Sequence, residues 1–190
     1  LIPSTLPSRK FKEQEEKGNF YFLWADLDKN PKKLVTVLIS IIGSNAQYEI
    51  YTTKSATEQE QRARILIVLY EPLNGKDWLL CQEALNDKLE EQGITPDRAT
   101  ERAAQLCYLP NKGKFYNSLS NQEGELFNPL EAFKGEIKEK KLAIAEAEKE
   151  IQLKRDQAEK RRENLKYTGN KPAQLITAFN EAYTVEDILL

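Results

Sequence analysis

Short apolar stretches that alternate with polar residues predict four β-strands in this chain. The strands are expected at 21–30, 47–53, 62–69 and 105–109. Helices are predicted at 32–42 and 77–92, because Gly43 and Gly93 follow these stretches as stop signals. The second helix has a clear amphipathic spacing, whereas the β-branched residues of the first are also typical of a strand.

The order strand, helix, strand, strand, helix, strand is typical of ferredoxin-like and RNA-recognition folds, which share a βαββαβ pattern. We therefore predict an α+β domain at 20–128 with a four-stranded antiparallel sheet. Two helices would cover one face of this sheet, and the other face would be available for a site.

The residues on both sides of this domain differ from it in composition. Residues 1–19 are polar, with prolines and then a charged run, and are expected to form a linker that ends in a short helix. Residues 129–190 are expected to form a long charged helix from Leu130 to Lys166 and then a small helical segment at 172–190. An apolar seam recurs every seven residues along the long helix, at Leu130, Ile137, Ile144, Ile151, Ala158 and Leu165. Because the companion positions are mostly polar, this seam is expected to pack on the domain or on a partner helix rather than to build a regular coiled coil.

Composition and charge are those of an ordinary globular protein. The chain has 190 residues, of which 40% are hydrophobic and 31% charged, and its net charge is −2. This charge gives no overall attraction to nucleic acid, so any basic surface must be local. No apolar run is long enough to span a bilayer and no signal-peptide pattern occurs, so a cytoplasmic location without membrane contact is expected. Methionine is absent even at position 1, which suggests an internal fragment of a longer protein.

Two residue types narrow the chemistry. Histidine is absent, which excludes histidine-based catalytic triads, histidine-ligated metal sites and histidine general bases. Cys81 and Cys107 lie in apolar stretches and show no zinc-site spacing, so they are expected to be buried, reduced thiols.

Two carboxylates end the first predicted strand. Asp26 and Asp28 are two residues apart, and such positions in a strand point to the same face. The carboxylates repel each other unless a cation lies between them, and Mg²⁺ or Mn²⁺ is the kind of hard ion that oxygen ligands favour. The alternative is that Asp26 closes the strand and Asp28 begins a turn.

Four stretches in this order carry a resemblance to a known family. They are Trp24-Ala25-Asp26-Leu27-Asp28, YTTKSAT at 51–57, Arg62-Ala63-Arg64, and GITPDRATERAAQLCYLPN at 93–111. Together they resemble the primase–polymerase domains of the archaeo-eukaryotic primase (AEP) superfamily, in particular the versions in phage and plasmid replication proteins. The resemblance covers about Phe20 to Tyr116. It implies a metal-dependent DNA primase/polymerase-type nucleotidyltransferase that acts on a single-stranded template.

The resemblance also implies roles for individual residues. Asp26 and Asp28 match the family's pair of metal-binding carboxylates, and Asp97 is the best match to its third carboxylate, with a turn cap as the alternative role. Where the family usually has Ser-x-His, this chain has Ser55-Ala56-Thr57. The side chains expected to bind the nucleotide or the template are Lys54, Ser55, Arg62, Arg64, Arg98 and Arg102, with ion pairing to surface acids as the alternative for Arg62 and Arg64. The large aromatic residues Trp24, Tyr51, Trp78 and Tyr108 are expected in the core rather than as base-stacking platforms.

Three functions are compatible with these patterns. The first is the nucleotidyltransferase, whose partners would be single-stranded DNA, nucleoside triphosphates and a helicase domain or subunit. The second is a catalytically inactive nucleic-acid-binding module of a replication initiator. The third is an interaction adaptor in which the long helix is the working part.

Overall fold

The computed structural model describes residues 2–29 and 33–164, together with Ile176, Thr177, Phe179, Asn180 and Tyr183, and side chains only up to residue 161 within the long helix. Pro31, Leu165 and most of the helical segment expected at 172–190 lie outside the described residues. The chain divides into two compact units, residues 1–137 and residues 138–190.

The first unit is built on a four-stranded sheet. Its strands are β1 (Asn19–Leu27), β2 (Tyr48–Thr52), β3 (Ala63–Asn74) and β4 (Ser118–Asn121). Its helices are α1 (Phe11–Lys17), α2 (Leu34–Ile42), α3 (Gly75–Glu91) and the short α4 (Pro129–Ala132), with a 3₁₀ turn at Arg98–Glu101. All strand pairs are antiparallel and the order across the sheet is β1-β3-β2-β4. The α+β class and the antiparallel sheet are therefore confirmed.

The fourth strand is not where the sequence pattern predicted it. Residues 105–109 form no strand, and β4 is instead the polar segment Ser118–Asn121, which pairs with β2. The apolar character of 105–109 has another cause. Cys107 is fully buried with its Sγ 3.9 Å from the hydroxyl oxygen of Tyr51, so the segment lies against the sheet instead of joining it. Because β4 continues the sheet beside β2, the exact ferredoxin-like arrangement is not confirmed.

Alternation along β3 separates the two faces of the sheet. Ala63, Ile65 and Ile67 are fully buried and belong to the same apolar core as residues of α2 and α3. The intervening residues of β3, among them Arg64 and Val68, point to the opposite face. That opposite face, which carries Arg64, is called the second face below.

A buried glutamine closes the outer edge of β1. The side chain of Gln82 in α3 is fully buried, accepts a hydrogen bond from the Trp24 N–H at 3.1 Å and donates one to the Trp24 carbonyl at 2.7 Å. Two residues earlier in β1, the Phe22 carbonyl accepts a hydrogen bond from Trp78 Nε1 of the same helix at 3.0 Å. These bonds satisfy main-chain groups that an edge strand would otherwise leave unpaired. They also fix α3 alongside β1.

The N-terminal residues close the beginning of the same edge. The Tyr21 N–H donates to the Pro3 carbonyl at 2.9 Å and the Thr5 N–H donates to the Asn19 carbonyl at 3.2 Å. The helix α1 then packs on the start of α3, where a Cβ added to Gly75 would lie 2.3 Å from the Glu15 carbonyl oxygen. The segment 1–19, expected as a linker, is thus attached to the sheet. The predicted domain boundaries at residues 19 and 128 stay predictions.

A long helix, α5 (Lys134–Asn164), follows α4 and confirms the predicted C-terminal helix. In the first unit, Phe133 and Ile137 are buried in the core. In the second unit, the seam residue Ala158 is buried, Ile151 is half-buried and Ile144 is half exposed. None of the helices in the described part of the chain combines the length and apolar character that a membrane span requires.

We predict that Gln82→Ala lowers the free energy of unfolding by about 2–4 kcal/mol. The substitution leaves the N–H and the carbonyl of Trp24 without their buried partner, and each unpaired buried group costs about 1–3 kcal/mol. Urea unfolding followed by circular dichroism measures the change, with Gln59→Ala in an exposed loop as the control. Equal unfolding free energies for the two variants would show that the Gln82 bonds do not stabilise the edge.

Candidate functional site

A row of directly opposed residues crosses the second face of the sheet. Asp26 of β1 is opposite Arg64 of β3, Arg64 is opposite Tyr51 of β2, and Tyr51 is opposite Ser118 of β4. Opposed residues in antiparallel strands share a face and lie close together. The register of the sheet, which the core positions fix, therefore places the Asp26 carboxylate next to the Arg64 guanidinium.

The Asp26–Arg64 pair is short and half-buried. Arg64 Nη2 lies 2.9 Å from Asp26 Oδ2, and the two side chains are only 15% and 28% exposed. Burial works to lower the pKa of Arg64, but the hydrogen bond to Asp26 and its charge outweigh burial and raise that pKa. Arg64 therefore carries a permanent positive charge.

Arg64 also contacts Tyr108, which belongs to the segment 105–109 that lies against the sheet. Its Nη1 donates to the Tyr108 carbonyl at 3.2 Å, and its guanidinium carbon lies 5.6 Å from the centre of the Tyr108 ring. Its Nε is buried without a hydrogen-bond partner among the described residues. This donor is therefore enclosed by the protein and does not face solvent.

The second carboxylate of the pair is more exposed. Asp28 lies one residue beyond the end of β1, its side chain is 85% exposed, and its Oδ1 is 3.8 Å from Arg62 Nε. Arg62 and Arg64 thus both pair with acidic side chains, which the sequence had left open as their alternative role, and the Asp26–Arg64 pair is the shorter and less exposed of the two.

Asp97 is brought to Asp26 by its main chain rather than by its side chain. The Asp97 N–H donates to the Asp26 carbonyl at 2.8 Å, so the start of the 3₁₀ turn continues the closure of the β1 edge. The Asp97 carboxylate accepts from the Ala99 N–H at 2.8 Å and caps the turn. In the structure the Asp97 side chain is therefore a turn cap, which was the alternative role that the sequence left open.

The two neighbouring arginines have different surroundings. Arg98 lies among three acidic side chains, with its guanidinium 2.8 Å from Asp87 Oδ1, 3.4 Å from Glu90 Oε2 and 2.6 Å from Glu101 Oε1. Burial acts to lower the pKa of Arg98, but the bond to Asp87 and the three acidic charges raise it. Arg98 thus links the 3₁₀ turn to α3, whereas Arg102 at the end of the turn is exposed.

A cleft of about 570 Å³ opens beside the Asp26–Arg64 pair. Its lining residues are Tyr51, Thr53, Lys54, Ser55, Arg64, Tyr108, Leu109 and Asn111. It therefore brings together three of the side chains predicted from the resemblance, Lys54, Ser55 and Arg64. A cleft of this size is ordinary for a small-molecule site.

Sequence reasoning placed Tyr108 in the core, and this was wrong. Tyr108 is 61% exposed, whereas Trp24, Tyr51 and Trp78 are buried as expected. The difference arises because 105–109 is not a strand: the Tyr108 carbonyl faces the sheet and its ring lies at the cleft. The signal available in the sequence was Pro110-Asn111, which follows Tyr108 and is typical of an exposed turn.

Tyr51 of β2 binds the segment 105–109 through a hydrogen bond. Its hydroxyl donates to the Tyr108 carbonyl at 2.5 Å. Burial, followed by the charge and hydrogen bond of the Cys107 thiol, raises the pKa of Tyr51 well above its usual value. Burial likewise raises the pKa of Cys107. Both groups therefore stay protonated at neutral pH, and Cys81 and Cys107 are confirmed as buried free thiols.

The fit of a divalent ion can be judged from the oxygen ligands. No three Asp, Glu, His or Cys side chains among the described residues lie close enough to share a metal ion. Mg²⁺ commonly takes one or two protein carboxylates and fills its other positions with water and substrate phosphates, so a set of three protein ligands is not a requirement for this ion.

A double-mutant cycle tests the difference between the two cross-strand pairs. We expect a coupling energy of about 1–2 kcal/mol between Arg64→Met and Asp26→Asn, because a half-buried charged hydrogen bond is lost. For Arg62→Met with Asp28→Asn we expect about 0.5 kcal/mol or less, because this pair is exposed and long. Unfolding free energies of the single and double variants give both values. Equal couplings would contradict the assignment of Arg64 and Asp26 as the pair that stabilises the row.

A search among solved structures finds a similarity to the AEP domain of the primase–polymerase (PrimPol) of cyanophage S-2L, with a TM-score of 0.45 and 13% sequence identity. The similarity covers 61% of this chain and 60% of that domain. No protein-family model and no curated protein matches the chain. At this TM-score and identity, the similarity establishes neither a common fold nor a common activity.

Proposed function

We propose that this chain is a nucleotidyltransferase domain of the primase/polymerase type, which extends a strand on a single-stranded template in a phage or plasmid replication protein. The observation that carries the proposal is the position of Arg64. It pairs with Asp26 and at the same time lines the cleft together with Lys54 and Ser55. Arg64 thus links Asp26 with Lys54 and Ser55, three of the residues that the family resemblance selects.

The cleft would hold the triphosphate of the incoming nucleotide. Arg64 lines the cleft with a guanidinium, a group that binds phosphate oxygens through paired donors. Lys54 and Ser55 are both exposed at the same cleft and would add a point charge and a hydroxyl donor. Their charges would position the phosphates and offset the negative charge that develops during transfer.

Asp26 and Asp28 would hold Mg²⁺ or Mn²⁺ beside these phosphates. When bound, the ion would polarise the phosphate under attack and the attacking hydroxyl. Arg64 fixes the position of the Asp26 carboxylate through the 2.9 Å bond. Asp97 is proposed as the third carboxylate from the family resemblance, and its side chain would have to leave the cap of the 3₁₀ turn to bind the ion.

Another observation favours the second candidate, a binding module without catalysis. Each of the two carboxylates already has an arginine opposite it, Arg64 for Asp26 and Arg62 for Asp28. The chain also lacks the histidine that usually follows the family's serine. A protein of this kind would bind template and nucleotide without joining them. The adaptor hypothesis rests on the exposed apolar residues Leu142, Ile144 and Leu153 of α5.

The decisive measurement is incorporation of labelled nucleotides on a single-stranded DNA template with Mg²⁺ or Mn²⁺ present. We expect synthesis by the unmodified chain and a loss of roughly a thousandfold in Asp26→Asn and in Asp28→Asn, because a misplaced ion forfeits several kcal/mol of transition-state stabilisation. Arg64→Met is expected to raise KM for the nucleotide more than it lowers kcat, because Arg64 binds phosphates in the ground state as well.

Asp156→Asn serves as the matched control, because Asp156 is an exposed carboxylate on α5 that accepts a hydrogen bond from Gln152. Its activity should equal that of the unmodified chain. Template binding without any synthesis would replace the proposal by the binding module. Loss of self-association in Ile144→Asp, with no template binding by any variant, would instead support the adaptor.

A further inference from the structure

The segment after the 3₁₀ turn combines basic and aromatic residues and contains no acidic ones. From Arg102 to Gln122 there is neither Asp nor Glu, although the chain as a whole carries a net charge of −2. The same stretch contains two lysines and three aromatic residues: Tyr108, Lys112, Lys114, Phe115 and Tyr116. It therefore meets the expectation that any basic surface of this chain must be local.

The two lysines are held over aromatic rings. Lys112 Nζ lies 5.5 Å from the centre of the Tyr116 ring, and Lys114 Nζ lies 5.2 Å from the centre of the Phe115 ring. Both lysines are exposed and both rings are half-buried. A ring attracts an ammonium group placed over its face. The rings thus restrict where the two charges can be, while the charges stay open to solvent.

The loop that carries these lysines, residues 111–117, is called the basic loop here. It is anchored to the sheet by Thr52, whose hydroxyl donates to the Phe115 carbonyl at 3.0 Å and accepts from the Asn117 N–H at 2.7 Å. The Thr52 N–H also donates to the Asn117 carbonyl at 2.9 Å. Because Thr52 is itself buried, the basic loop is fixed before any ligand arrives. Such preorganisation reduces the entropic cost of binding.

The basic loop lies directly beside the cleft. A Cβ added to Gly113 would be 3.2 Å from the Lys54 carbonyl oxygen, so the loop touches the main chain of a residue that lines the cleft. Asn111 belongs to both the loop and the cleft lining. The exposed ring of Tyr108, three residues earlier, also lines the cleft. Fixed lysine charges and an exposed aromatic face therefore form one continuous surface.

We propose that the basic loop and Tyr108 form a binding surface for a single-stranded nucleic acid. Lys112 and Lys114 contact backbone phosphates and Tyr108 stacks on one unpaired base, which is the combination that single strands require. A duplex keeps its bases stacked on each other and offers no free face to Tyr108. An acidic peptide would satisfy the lysines but would leave the aromatic face without a partner.

This surface deepens the proposed function, because it assigns the path of the template. Tyr108 lies at the cleft, so a strand bound along the basic loop would place an unpaired base at the site where the nucleotide is held. The assignment of the strand as template rests on the proposed function, whereas binding of a single strand does not.

The test measures binding of a labelled oligonucleotide by fluorescence anisotropy, without nucleotide and without divalent ion. Its result is therefore independent of nucleotidyl transfer. We expect the plot of log affinity against log salt concentration for the Lys112→Gln/Lys114→Gln double variant to lose about 1.4 from its slope, since each lysine–phosphate contact on a single strand contributes about 0.7. The matched control is Lys10→Gln/Lys12→Gln, two exposed lysines with the same spacing at the start of α1. Its slope should be that of the unmodified chain.

Tyr108→Ala tests the aromatic part separately. We expect binding to weaken about tenfold or more with an unchanged salt slope, because stacking of one base is lost and no phosphate contact is. Circular dichroism confirms that each variant is folded. The proposal is overturned if the double variant has the same salt slope as its control, if Tyr108→Ala binds as tightly as the unmodified chain, or if duplex of the same sequence binds as tightly as the single strand. Synthesis that persists while the double variant loses no affinity would overturn this surface alone and leave the proposed function intact.

Discussion

The outer edge of β1 sets the arrangement of the first unit. A strand at the edge of a sheet exposes main-chain donors and acceptors that must find partners, and here Trp78, Gln82 and Asp97 supply them to alternate residues of β1. Gln82 is the central member because it satisfies both main-chain groups of Trp24 from a fully buried position. A side-chain amide can do this because it carries a donor and an acceptor in the same geometry as a peptide group.

The candidate site follows from this closure. The chain that leaves α3 reaches the end of β1, and there the Asp97 N–H donates to the Asp26 carbonyl. The chain then turns over the second face, where Arg64 and Tyr51 hold the Tyr108 carbonyl. The same sequence of hydrogen bonds thus closes the edge, brings Asp97 to Asp26 and builds one wall of the cleft.

Much of this framework could be predicted from the sequence, because it depends on periodicity. The alternation along β3 that buries Ile65 and exposes Arg64 to the second face is visible in the residues themselves, and so is the helical spacing of α3. The position of the fourth strand could not be predicted. Residues 105–109 are apolar because they lie against the sheet, whereas β4 is polar and becomes a strand only by pairing with β2. A short apolar run does not distinguish burial beside a sheet from membership in it.

The position of the Asp97 carboxylate is decided by small energies. As a cap of the 3₁₀ turn it forms one hydrogen bond to the Ala99 N–H, an interaction worth about 1 kcal/mol in helices. A hard divalent ion beside Asp26 and Asp28 would attract a third carboxylate more strongly than that, because metal–carboxylate contacts are among the largest local charge interactions in a protein. The Asp97 N–H is already bonded to the Asp26 carbonyl, which keeps the start of the 3₁₀ turn at the end of β1. Release of the Asp97 carboxylate from its cap would therefore cost about the energy of one hydrogen bond.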